Sequence, residues 1–118
     1  MLENAKTWCN SWTAHDLDAV MKHYAENVQF SSPMVPRMLG IESEFINGKE
    51  KLREYFEICI KKYHDLRLDF VDVLVGVNGV VVLYYRETGA LASDISEMDN
   101  HNKIVSSQVY YNIGKILG

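Results

Sequence analysis

The sequence predicts an α+β domain, and three observations carry that reading. Apolar residues recur at helical spacing three times before residue 64, β-branched and aromatic runs dominate from Leu66 onward, and clusters of turn-forming residues separate those runs. Helices first and hairpins afterwards give helices segregated onto one face of an antiparallel sheet. The chain has 118 residues, 47% hydrophobic and 24% charged, and no linker or repeat divides it. That is enough apolar material for one core in a single domain, residues 1–118. The formal charge of -4 argues against nucleic-acid and anionic-membrane surfaces, which favour basic patches.

The first helix is predicted over Glu3–Ala14, where Ala5, Trp8, Cys9 and Trp12 fall at i, i+3, i+4 and i+7. Asp16 reads as the N-cap of a second helix whose stripe is Leu17, Val20, Met21 and Tyr24, so two short helices meet at a corner at His15-Asp16. Val28–Ser31 reads as a short strand closed by Pro33. Residues 34–46 have no clean period and form either a lid over a pocket or a segment tucked against a partner subunit. Asn47 and Glu50 look like a capping pair for the third helix, along which Leu52, Tyr55, Phe56, Cys59, Ile60 and Tyr63 recur.

Leu66–Val75 alternates as a strand, and Asn78-Gly79 is the clearest hairpin signal. From Val80 to Ile113, ETG and DNHN separate three further strands. Taking DNHN as a four-residue loop sets Met98 opposite Lys103, Asp94 opposite Ser107, Ser96 opposite Val105 and Ala92 opposite Val109. Asp94 and Ser107 then project the same way, while Ile95 and Ile104 lie on the other face. If the Asp94 face is covered, this carboxyl sits in largely apolar surroundings.

Cys9 and Cys59 fit no metal or redox spacing and fall on apolar helix stripes, as small buried hydrophobes. The histidines show no HxH or HExxH spacing, and no glycine-rich phosphate loop or GxSxG elbow occurs. No cofactor or metal is expected. MLENAKTW lacks the apolar core of a signal peptide and no apolar run would span a bilayer, so a cytoplasmic location is the expectation.

Four segments in order, WCNSWTAHDLDAVMKHYAENVQFSSP, GKEKLREYF, NGVVVLYYRETG and DNHNKIVSSQVYY, resemble the nuclear transport factor two-like superfamily. Within it, the chain is most similar to SnoaL-like polyketide cyclases and ketosteroid isomerases. The resemblance implies a cone, cystatin-like in outline, in which a curved sheet wraps around three N-terminal helices and leaves an apolar pocket at its open end. It also implies a homodimer joined through the outer face of the sheet.

The resemblance places Asp94 on the isomerases' strand aspartate, which stays protonated in an apolar site and donates to the substrate carbonyl. SnoaL-like cyclases also use an aspartate as acid and base. The isomerases' general base falls on Ser32, which cannot abstract a carbon-bound proton at neutral pH. Their oxyanion tyrosine falls on Trp8, a donor only, and Tyr24 matches a supporting tyrosine on the second helix. Family register turns Glu87 toward the pocket with Val81, Leu83 and Tyr85. Glu87 is then a second candidate acid or base, or a rim residue.

Asp94 is the catalytic candidate, and its competing reading is a solvent-facing aspartate or a partner of Arg86. Glu42 and Glu44 replace the lost base or stay solvated. Tyr24, Tyr55, Tyr85 and Tyr111 either line a cavity with Trp8, Trp12, Ser32 and Ser107 or serve as core aromatics. Two functions follow: acid/base isomerisation or aldol-type cyclisation of a small hydrophobic carbonyl compound, or a non-catalytic module that binds a small ligand or dimerises.

Overall fold

A computed structural model describes residues 2–112 of the chain. Its elements are α1 (Leu2–Thr13), α2 (Leu17–Met21), β1 (Tyr24–Ser31), α3 (Val35–Leu39), β2 (Phe45–Asn47), α4 (Lys49–Lys62), β3 (Leu68–Val75), β4 (Gly79–Arg86), β5 (Leu91–Met98) and β6 (Ile104–Tyr111). The strands form one sheet in the order β2-β1-β6-β5-β4-β3, open and curved, with α1 and α4 in its hollow. All neighbours are antiparallel except β1 and β6, which run parallel. The sheet is therefore mixed, because β1 enters from the helical half of the chain and lies beside the last described strand. The predicted strand end at Ile113 lies outside the described residues.

Local chemistry sets the element boundaries. Asp16 caps α2 as expected, its side chain accepting from the Ala19 amide at 3.1 Å. His15 takes the left-handed conformation at φ 57°, and its Nε2 donates to the Leu66 carbonyl at 2.9 Å, which ties the corner to the approach of β3. Tyr24 is not on a helix. The α2 helix stops at Met21 and β1 begins at Tyr24, four residues earlier than the predicted strand, because Tyr24 and Val28 both point into the core. The predicted Asn47–Glu50 capping pair does not form: Asn47 ends β2, and Gly48 stands at the N-cap with φ 96° and no side-chain cap. Residues 34–46 contain α3 and most of β2, with Gly40 closing α3 in the left-handed region, its N–H donating to the Pro36 carbonyl.

The predicted β5–β6 register is off by two, from two separate causes. Asp99 N–H donates to the Lys103 carbonyl at 2.9 Å, leaving a three-residue loop that ends at Asn102 in the left-handed region. A bulge then inserts Val105 between the Met98–Ile104 and Glu97–Ser106 pairs. Asp94 consequently faces Val109, Ser96 faces Ser107 and Ala92 faces Tyr111. Two slips of one residue restore the parity, so Asp94 and Ser107 still point inward. Ile104, predicted on the outer face, instead packs in the core at 6% exposure.

The core is built from rings. Trp12 and Phe56 meet edge to face at 4.7 Å, Phe30 and Phe56 at 5.4 Å, and Trp8 and Tyr84 at 5.7 Å. Cys9 is fully buried, Cys59 is half-buried, and both are free thiols.

The Asn78-Gly79 turn lies one residue earlier than predicted. Gly76 N–H donates to the Gly79 carbonyl at 2.8 Å, which puts Val77 and Asn78 at the tip and Gly79 in β4. Gly79 is needed for closeness and not for a turn dihedral: a Cβ there would fall on the Ser96 carbonyl oxygen and within 2.9 Å of the Glu97 Cα. Gly79→Ala is expected to lose about 2 kcal/mol or more of stability, read as an earlier midpoint in urea, by forcing β4 from β5. The neighbouring Val77→Ala, at a fully exposed tip, should leave the midpoint within about 0.5 kcal/mol of wild type.

Candidate functional site

The site is assembled on the inward face of β4, β5 and β6, opposite α1 and α4. Inward positions alternate along each strand: Val80, Val82 and Tyr84, then Ala92, Asp94 and Ser96, then Ser107, Val109 and Tyr111. Asp94 lies between Val82 on one side and Val109 on the other, and is 4% exposed. Its carboxyl accepts from the Ser107 hydroxyl at Oδ1 and from the Tyr84 hydroxyl at Oδ2, each at 3.1 Å. Burial pushes the carboxyl up to about 7, against the pull of the two hydrogen bonds.

The groups around it are held neutral. Burial, with the Asp94 charge as a second cause, raises the Cys9 thiol to about 12 and the Tyr24 and Tyr84 phenols well above their ordinary value. Trp8 donates through Nε1 to the Tyr24 hydroxyl at 3.2 Å. Trp12 is buried among Trp8 and Phe56, and among the described residues its indole N–H is the buried side-chain donor left without a protein partner.

A cavity of about 60 Å³ opens beside Asp94, with Trp8, Trp12, Tyr24, Ser32, Tyr55 and Tyr111 from the predicted set in its wall. Ser107 stands behind the carboxyl rather than in the wall. Two further predicted positions, Tyr85 and Glu87, do not reach the cavity. Tyr85 is 46% exposed on the outer face, and Tyr84 takes the inward place. The cause is the loop after β4: Arg86 N–H donates to the Ala90 carbonyl, so ETG is a three-residue loop closed by Gly89 at φ 86°, and even-numbered residues of β4 face inward with Asp94.

Glu87, in that loop, is bound to Arg86 through Nε at 2.8 Å and Nη2 at 3.0 Å and accepts from the Arg67 amide. Burial raises the Glu87 carboxyl, but the Arg86 hydrogen bond and charge outweigh it and the net direction is down. Glu87 is thus an ion-pair partner and no reservoir of protons near neutral pH. Arg86 is spoken for and does not bind Asp94; its guanidinium lies 5.4 Å from the Tyr63 ring and lines the cavity.

The wall also includes Tyr84, Arg86 and Tyr63, which the sequence does not place there, and Met34 and Met38 from the segment 34–46 that it reads as a lid or a partner contact. The glycine-terminated ETG loop was the available signal for Tyr84 and Arg86. Met34 and Met38 come from α3, in the segment that shows no period. Glu42 and Glu44 are exposed, and Glu44 borders a separate open groove with Arg37 and Tyr110. No group of three or more histidine, cysteine or acidic side chains suited to a metal occurs among the described residues, and no described helix is long and apolar enough to cross a membrane.

Residues 5–103 match the family described as SnoaL-like domain. Among solved structures, the chain is similar to a SnoaL-like protein of unknown function from Burkholderia thailandensis, at 30% identity over 93% of this chain and 92% of that one, with a TM-score of 0.86. It also shares its fold with a SnoaL-like family protein from Agrobacterium tumefaciens that carries a provisional description as an isomerase, at 14% identity over 92% and 93% of the two chains and a TM-score of 0.71. A third is TerC, co-crystallised with polyporic acid, at 13% identity over 98% and 93%, TM-score 0.78. No curated protein sequence matches the chain.

A carboxyl whose folded value lies above its unfolded value destabilises the fold as it ionises. Its neutral form is equally present in both states below about pH 4, the unfolded state ionises first, and the deficit grows until about pH 7. A rise of about three units corresponds to a deficit on the order of 4 kcal/mol. Asp94→Asn is therefore expected to melt higher than wild type at pH 8 and to lose that advantage at pH 4, in paired thermal melts. An advantage independent of pH would contradict the buried, neutral-favouring site.

Proposed function

This chain belongs to the SnoaL-like domain family, and we propose that it performs cofactor-independent acid/base chemistry on a small, hydrophobic carbonyl compound held beside Asp94. One observation supports this above the others: a buried carboxyl in the wall of an aromatic-lined cavity, braced by two hydroxyls and poised near neutral pH. At neutral pH both of its forms are populated, so one group can accept a proton from carbon and return it to another atom of the same substrate. As the enolate forms, neutral Asp94 donates to the developing oxyanion, and the Trp12 N–H is a second donor in the same wall. Double-bond isomerisation and aldol-type ring closure both pass through such an enolate.

The cavity bounds the substrate. About 60 Å³ is room for roughly four waters at ~15 Å³ each, well short of the ~300 Å³ of an ordinary ligand pocket. Met34 and Met38 are the flexible part of the wall, and a larger substrate enters by moving them. A second reading, binding without catalysis, is favoured by Ser32, which stands where the isomerases carry their base and whose hydroxyl accepts from the Met34 amide at 3.1 Å.

The outer face of the sheet is the proposed contact with a second copy. It exposes Leu74, Tyr85, Ile95 and Tyr110, an apolar surface of the kind that buries against its own image in a homodimer.

In D₂O, wild type is expected to accelerate α-hydrogen exchange in at least one of a panel of small cyclic ketones that includes 2-tetralone, followed by proton NMR. Asp94→Asn should lose about 10²–10⁴ of that rate. Ketones that shift the melting temperature of both proteins equally, with no exchange above buffer, would leave binding as the function. Light scattering should give a dimer for wild type, and Ile95→Lys with Tyr110→Lys should give a monomer.

A further inference from the structure

Asp94 borders two cavities. The second, about 40 Å³, lies on the other side of Trp8, toward the start of α1 and the β5–β6 hairpin. It is lined by Asn4, His23, Ser96 and Asp94 along with apolar side chains such as Ala5 and Val80. Ser96 is 6% exposed, sits two residues beyond Asp94 on the same inward face, and lines this cavity. The space suits water: about 40 Å³ takes roughly two or three molecules at ~15 Å³ each, and the wall offers more than the two polar partners a buried water needs.

We propose that this second cavity holds a short water chain, anchored on Ser96 and ending at half-buried His23, by which Asp94 exchanges its proton with solvent from the side away from the substrate. The inference rests on the reading of Asp94 as the acid/base group and adds its proton route. A group enclosed by substrate on one side cannot reset its protonation through the first cavity while that cavity is filled. Through the second it can, since the proton passes from Asp94 to water, along the chain, and out past His23, with a proton entering by the reverse path.

The groups facing this route are consistent with it. His23 is lowered by burial and by Lys103, so at pH 7 it is neutral and able to accept a hydrogen bond. Facing Asp94 from the other elements are Cys9 of α1, Tyr24 of β1, Tyr84 of β4 and Tyr111 of β6, all raised, so none competes for the proton near neutrality.

The test pairs a high-resolution crystal structure with side-chain carboxyl NMR titration of Asp94 in wild type, Ser96→Val and Ala5→Leu, the last filling the cavity from α1 with no sheet residue changed. Wild type should show ordered water on Ser96 Oγ within reach of the Asp94 carboxyl. In either variant that water should be gone and the Asp94 midpoint should rise by about half a unit or more, as lost hydration disfavours the charged form. A dry cavity in wild type, or midpoints in both folded variants within about 0.2 unit of wild type, would overturn the route. A wild-type midpoint near 4 that still rises in the variants would support the water chain and defeat the acid/base reading instead.

Discussion

The arrangement depends on the burial of one carboxyl in an apolar wall. A carboxylate moved out of water costs several kcal/mol unless partners meet it, and the two hydroxyls of Tyr84 and Ser107 supply one donor to each oxygen. Both donors come from strands flanking β5, so the site exists only while three strands hold their relative register. A slip of one residue on either side would turn a partner outward and leave the carboxyl buried alone. The irregularities of the sheet protect that register. The bulge at Val105 absorbs an odd loop and brings Ser107 and Val109 back inward, and the bulge at Val71 does the same for β3, setting Phe70 and then Val73 against the core.

Much of the fold was legible because its signals are local. The stripes of α1 and α4, the Asp16 cap and the four hairpin strands each announce themselves within about a dozen residues. What misled the reading was tertiary. Tyr24 continues a helical stripe perfectly well, and only its pairing beside β6 makes it a strand residue. Val28–Ser31 reads as isolated for the same reason, since a parallel neighbour 77 positions away, as Phe30 is from Ser107, leaves no local trace.

The site was legible in its central residue and less so in its surroundings. The sequence sets Asp94 and Ser107 on one face although its DNHN loop is one residue too long and its register lacks the bulge, because the two differences cancel in parity. Glu87 and Tyr85 were set inward by borrowed register, whereas the ETG loop, closed by Gly89, fixes the opposite parity. Tyr84 then follows as the second donor. Loop length thus decided the cavity wall more than strand composition did, since YYR is equally plausible with either tyrosine inside.

The same cavity has a serine where the resemblance to the isomerases would set a carboxylate base. The Ser32 hydroxyl accepts from the Met34 amide at the start of α3. That bond sets Met34 and Met38 against the wall, while Val35 between them is fully buried and anchors the turn. A carboxylate at position 32 would replace a side chain only 3% exposed, beside Tyr55, in a cavity whose Arg86 is already paired with Glu87. Serine satisfies the local backbone and leaves Asp94 as the one carboxyl lining the cavity among the described residues. On the proposed reading, proton transfer at this site is a shuttle by a single group, so the proposed solvent path to Asp94 bears on it as much as the groups that would bind the substrate.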